Sequence, residues 1–92
     1  MIRSFKCKDA SKILNSQPTA RFANIQTAVR RRLRYLNDAA SLAELSAYPG
    51  LRLEKLTGNR AGQFSIRINA QWRICFVWTS AGPERVEIVD YH

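Results

Sequence analysis

Apolar residues in the first half of the chain recur with a helical period. Phe22, Ile25, Val29, Leu33 and Leu36 are spaced by 3, 4, 4 and 3 residues, so they form one stripe on a helix. Pro18 stands where such a helix starts. Upstream, Asp9 or Ser11 is placed to cap a shorter helix running to about Ser16, and residues 2–6 alternate as a short first strand would. A third short helix is expected over Ser41–Ala47, ended by Tyr48-Pro49-Gly50. After Gly50 the period drops to two. Leu51–Leu56 is a strand candidate, and Thr57–Gly62 reads as a turn. Phe64, Ile66 and Ile68 alternate with Ser65, Arg67 and Asn69. Trp72, Ile74, Phe76 and Trp78 alternate with Arg73, Cys75 and Val77. Ser80-Ala81-Gly82-Pro83 reads as a second turn, and Val86–Val89 as the last strand.

Long alternation broken by short turns predicts an antiparallel meander with one face on a core. The stripe on the second helix covers that face. The expected fold class is therefore α+β, with two to three helices in one layer and a small twisted, mainly antiparallel sheet in the other. The second layer keeps an open face.

The hairpin around Asn69-Ala70-Gln71 fixes which residues occupy that face. A two-residue loop would oppose Ile68 to Arg73 and mix core residues with charges. A three-residue loop instead pairs Ile68 with Trp72, Ile66 with Ile74 and Phe64 with Phe76. It also sets Arg67 opposite Arg73 on the open face. Like charges in that position repel. The pair is accounted for by an anion held between the two guanidinium groups, such as a phosphodiester. The bland reading has them splayed into water or bridged by Glu87.

Composition narrows the partner. Fifteen Lys and Arg face seven Asp and Glu, for a formal charge of +8 in 92 residues, and the sequence pI is about 10.4. Eleven of the fifteen are Arg, whose planar fork matches phosphate. That is the footprint of a nucleic-acid binder. The run Arg30-Arg31-Arg32-Leu33-Arg34 is either part of such a surface or a solvated helix face. Cys7 and Cys75 match no zinc spacing, and a single histidine does not complete a metal site. No metal or organic cofactor is expected. The opening residues lack a signal peptide's apolar stretch, and no run is long enough to span a membrane, so residues 1–92 are read as one cytoplasmic domain.

The last strand runs into Asp90, Tyr91 and His92. With Val86 and Ile88 on the core, Glu87, Val89 and Tyr91 point to the open face beside Arg67 and Arg73, flanked by Asp90 and His92. Cleavage of RNA by its own 2′-hydroxyl needs a base, a cation for the charge growing on phosphorus, and an acid for the leaving oxygen. His92 suits base or acid near neutral pH. Arg73 suits the phosphoryl oxygens, and Tyr91 suits stacking on a base or a share in proton transfer.

The stretches GNRAGQFSIRINAQWRICF and EIVDYH, with the opening MIRSFKCKD, resemble the HigB toxins of the RelE/ParE superfamily. The resemblance implies a RelE-like fold with a concave active-site face. It implies a metal-independent endoribonuclease, an mRNA interferase that cuts messenger RNA in the ribosomal A site. The implied partners are a HigA-type helix-turn-helix antitoxin, through which alone the pair reaches operator DNA, and the ribosome's 30S subunit with its 16S rRNA and bound message. Arg73, Asp90, Tyr91 and His92 match the family's functional positions. Where some members carry a histidine this chain has Glu54, a possible general base. Where they carry a lysine it has Thr57, with Lys55 and Arg60 as the nearest cations. Arg67, Asn69, Gln71, Lys55 and Arg60 are the expected RNA contacts. Two other readings share the fold: a ParE-like gyrase inhibitor without catalysis, and a non-catalytic nucleic-acid-binding module.

Overall fold

Ile66, Ile74 and Ile88 stand side by side on three adjacent strands, and all three are buried. They mark the centre of the sheet face that meets the helices. The computed structural model describes residues 1–90. Its helices are α1 (Lys8–Leu14), α2 (Gln26–Asp38) and α3 (Leu42–Ser46). Its strands are β1 (Glu54–Lys55), β2 (Phe64–Arg67), β3 (Trp72–Thr79) and β4 (Gly82–Asp90), joined in the order β1-β2-β3-β4 with every pair antiparallel. This is the α+β two-layer arrangement that the hydrophobic pattern predicts. Among the described residues, no helix is long and apolar enough to cross a membrane.

The helical stripe does what its spacing requires. Val29, Leu33 and Leu36 of α2 are fully buried, and Phe22 nearly so, in one cluster with Ile13 of α1, Leu45 of α3 and the sheet residues Ile66, Ile74, Phe76 and Val86. Each such side chain contributes about 1.5–3 kcal/mol through burial. The helix itself starts later than Pro18. The side chain of Gln26 folds back, its Oε1 accepting from the Thr19 N–H at 3.1 Å and its Nε2 donating to the Gln17 carbonyl at 2.8 Å. Those bonds hold residues 17–19 against the first turn of α2, and residues 21–25 pass by as turns. In α3, Ser41 Oγ accepts from the Glu44 N–H and Glu44 Oε2 accepts from the Ala40 N–H, so side chains satisfy the first amides.

Three strand expectations need correction. Residues 2–6 form no strand of their own. They run beside β4, joined by the Phe5–Val86 parallel bridge and by bonds from Arg3 N–H to the Pro83 carbonyl and from Val86 N–H to the Ser4 carbonyl. Leu51–Leu56 shrinks to Glu54–Lys55, because Pro49–Leu51 is a helical turn and Arg52 takes a left-handed conformation at φ 47°. The last strand is longer than expected and begins at Gly82. Its pairing with β3 slips between Cys75 and Val77, so that Arg85 and Val86 together face Phe76. Arg85 takes φ 53° at this bulge. The extra residue turns Val86 into the core and breaks the alternation that the sequence would otherwise show.

Candidate active site

The β2–β3 register follows from the three-residue loop. Ser65 pairs with Cys75, Ile66 with Ile74, and Arg67 with Arg73. Asn69 holds the loop, its Oδ1 accepting from the N–H groups of Gln71 at 2.9 Å and Trp72 at 2.8 Å. On β4, Val89 stands opposite Arg73 and Glu87 opposite Cys75. On β1, Glu54 stands opposite Ser65. Alternation puts Glu54, Ser65, Arg67, Arg73, Cys75, Glu87 and Val89 on the sheet face away from the helices, and Ile66 and Ile74 on the face towards them.

Arg73 is the centre of this face. Its Nη1 donates to Glu54 Oε2 at 2.9 Å and to Ser65 Oγ at 3.2 Å. Its side chain is only 15% exposed, whereas that of Glu54 is 49% exposed. Arg67 turns the other way and donates from Nε to the Asn69 carbonyl at 3.1 Å. The repulsion between the paired arginines is thus eased by divergence and by Glu54. Glu87 does not bridge them. It accepts from Lys6 at 3.2 Å and lies 3.7 Å from Arg60.

These charges roof the centre of the sheet. Cys75 is fully buried although it sits on the face away from the helices. Burial pushes its thiol above the ordinary value of 9.0. Arg60, Arg73 and Lys6 oppose that shift, and Glu87 adds to it. A thiol held protonated there is a poor nucleophile.

Around this centre the other expected residues spread out. Glu54, Lys55 and Arg60 line a polar depression of about 320 Å³ together with Thr57 and Asn59. Lys55 pairs with Phe64, next to Glu54 on the same two-residue strand. Asn69 spends its side-chain oxygen on the loop. Gln71 donates from Nε2 to Asp90 Oδ2 at 3.1 Å. Asp90, at the end of β4, pairs with Trp72, the residue before Arg73. The expectations for Tyr91 and His92 lie outside the described residues.

Three arginines that alternation alone does not single out shape this region. Arg32 of α2 donates from Nε to the Arg67 carbonyl at 3.2 Å, tying the helix to the end of β2. Arg30 likewise donates to the Ile13 carbonyl, so the Arg-rich run is partly structural rather than a free cationic surface. Arg21 packs over the rings of Phe22 and Trp72 at 4.9 and 5.6 Å from their centroids.

Compared with known proteins, residues 3–92 match the family model of HigB-like toxins, described as the RelE-like toxin of the type II toxin–antitoxin system HigB. The chain belongs to this family. Among curated HigB relatives, Endoribonuclease HigB of Proteus vulgaris is 30% identical over 93 residues, covering 100% of both chains. Toxin HigB-1 of Vibrio cholerae serotype O1 is 41% identical over 56 residues, which span 61% of this chain and 59% of that toxin. For a HigB-like toxin the fold was expected to be RelE-like, and the helix layer on a four-stranded antiparallel sheet with one face left to charged residues agrees.

Proposed function

We propose that this HigB-like toxin is an endoribonuclease that cuts messenger RNA in the ribosomal A site and is neutralised by a cognate antitoxin. The observation that carries the reading is Arg73. It is a nearly buried guanidinium, set on the face opposite the helices and directed by Glu54 and Ser65. The membership of the chain in a type II toxin family and the name of the Proteus vulgaris relative support the same chemistry.

In this reading the ribose 2′-oxygen attacks phosphorus, forming the O2′–P bond as the P–O5′ bond breaks. A base removes the 2′-hydroxyl proton, and an acid protonates the departing 5′-oxygen. Arg73 holds the non-bridging oxygens as charge builds on them. Glu54, open to solvent and bonded to Arg73, is the candidate base. His92 is the candidate acid, with Tyr91 stacking on a base of the message. Asp90 positions Gln71 through the bond between them. Arg67, Lys55 and Arg60 draw the message in, with Asn69 shaping the loop beside it. The ribosome orders the substrate, which lowers the demand on acid and base strength. The site of action is the cytoplasm, and the antitoxin is a HigA-type helix-turn-helix protein through which the pair reaches operator DNA.

The test is induced expression in bacteria with mapping of message 5′ ends. The native chain is expected to arrest growth and produce cuts in register with codons, and both Arg73→Ala and His92→Ala are expected to abolish most of them. Growth arrest with intact messages and broken or relaxed chromosomal DNA would favour inhibition of gyrase.

A further inference from the structure

We propose that Arg21, seated against Trp72, forms a second phosphodiester-binding position beside the active site. The proposal rests on the reading of this protein as an RNA-cleaving toxin, and extends it to a residue that neither the register argument nor the family resemblance assigns.

Three observations converge on Arg21. First, its guanidinium is held in place by rings. The Phe22 and Trp72 rings meet edge to face, 5.1 Å apart and at 87°, and the guanidinium carbon lies 4.9 and 5.6 Å from their centroids. A cation favours such faces and loses freedom on them before any ligand arrives. The backbone beneath is also fixed. Thr19 and Phe22 on either side are buried, and Gln26 grips Thr19 through Oε1.

Second, no carboxylate among the described residues pairs with Arg21. Among the described residues the ion pairs involve Lys6, Arg60 and Arg73 with Glu87 and Glu54, and none involves Arg21. The residue is exposed. An exposed, pre-oriented guanidinium that pairs with no carboxylate of the described residues is matched to a phosphate oxygen.

Third, the location is the end of the sheet that carries the candidate site. Trp72 is the residue before Arg73 and pairs with Asp90, which in turn accepts from Gln71. Arg73 faces away from the helices and Trp72 faces towards them. An RNA strand bound at Arg73 that continues over the Gln71–Asp90 edge meets Arg21 on the far side. The anion it takes there is a phosphodiester, from the message beyond the cut or from ribosomal RNA.

The experiment is steady-state cleavage on ribosomes programmed with a defined message, over a salt series, for the native protein, Arg21→Ala and Arg21→Lys. Thermal melts establish that each variant folds. Arg21→Ala is expected to raise KM roughly fivefold, the effect of one exposed ion pair, while kcat stays within about twofold. The salt dependence should be shallower than for the native protein, and Arg21→Lys should recover most of both. A message carrying neutral methylphosphonate links beside the cut separates the two sources. If the message supplies the phosphate, Arg21→Ala adds nothing on that substrate. If ribosomal RNA supplies it, the full effect remains. A KM and salt dependence for Arg21→Ala equal to the native values overturn the proposal. A native protein that cuts nothing overturns the underlying function, and the proposal with it.

Discussion

Glu54 Oε2 accepts a hydrogen bond from Arg73 Nη1 at 2.9 Å, joining a half-exposed carboxylate on the edge strand to a guanidinium whose side chain is only 15% exposed. The bond sets the direction of Arg73 and leaves the carboxylate reachable from water. Two roles proposed for Glu54, as a base and as a holder of Arg73, can therefore be tested separately.

Glu54→Gln keeps an acceptor for Arg73 but removes the base. If Glu54 takes the 2′-hydroxyl proton, this variant loses about 10²-fold or more in kcat, in the range of general-base catalysis. Its melting temperature stays near that of the native protein, because a half-exposed ion pair contributes little to stability. Stopped or quenched kinetics with a calorimetric melt check both values. A kcat loss of only a few-fold assigns Glu54 to positioning alone.

Asn69 is expected to act on the loop rather than on chemistry. Its Oδ1 accepts two backbone N–H groups, at Gln71 and Trp72, and these bonds hold the three-residue loop that sets the Arg67–Arg73 register. Asn69→Ala should cost about 1–2 kcal/mol and lower the melting temperature by several degrees. Asn69→Asp keeps the acceptor and should lose little. Equal melting of the alanine variant and the native chain would contradict the role.

Much of this arrangement was legible in the sequence, and the parts that were not have physical reasons. The β2–β3 hairpin could be read because only one loop length puts Phe64, Ile66 and Ile68 with Phe76, Ile74 and Trp72. The α2 stripe could be read because burial acts at the helical period. The start of α2 could not, since Gln26 gripping Thr19 and Gln17 is a tertiary contact without a local signature. The length of β4 was hidden by the bulge at Arg85, which shifts Val86 out of alternation. At the site, spacing identified Arg67 and Arg73 as neighbours but not where their guanidinium groups turn. Glu54 was singled out by family resemblance, and its bond to Arg73 depends on a two-residue strand that propensity does not resolve. Arg21 was not singled out, because only the fold brings its second ring partner, Trp72, to the Phe22 beside it.

Cys75 predicts a pH dependence. Its folded-state thiol sits above the ordinary value of 9.0, chiefly through burial. Between the unfolded and folded values the folded chain retains more protons than the unfolded one, so stability falls as pH rises. The contribution is fully present at neutral pH and is lost as pH rises through and beyond about 9. Native Cys75 should resist alkylation at neutral pH, and Cys75→Ala should flatten the alkaline decline in melting temperature. Rapid labelling of Cys75 in the folded protein would contradict its burial.

Arg73 is proposed to stabilise a phosphorane formed by the message's own 2′-hydroxyl. The most direct measurement is single-turnover cleavage on programmed ribosomes, with end-group analysis, for native protein and Arg73→Ala, on messages with a ribose or a 2′-deoxyribose at the cut nucleotide. The expected products are a 2′,3′-cyclic phosphate and a 5′-hydroxyl, with no cleavage of the deoxy message and a loss of about 10²–10³-fold for Arg73→Ala. Cleavage of the deoxy message, or an undiminished rate without the Arg73 guanidinium, would contradict that proposal.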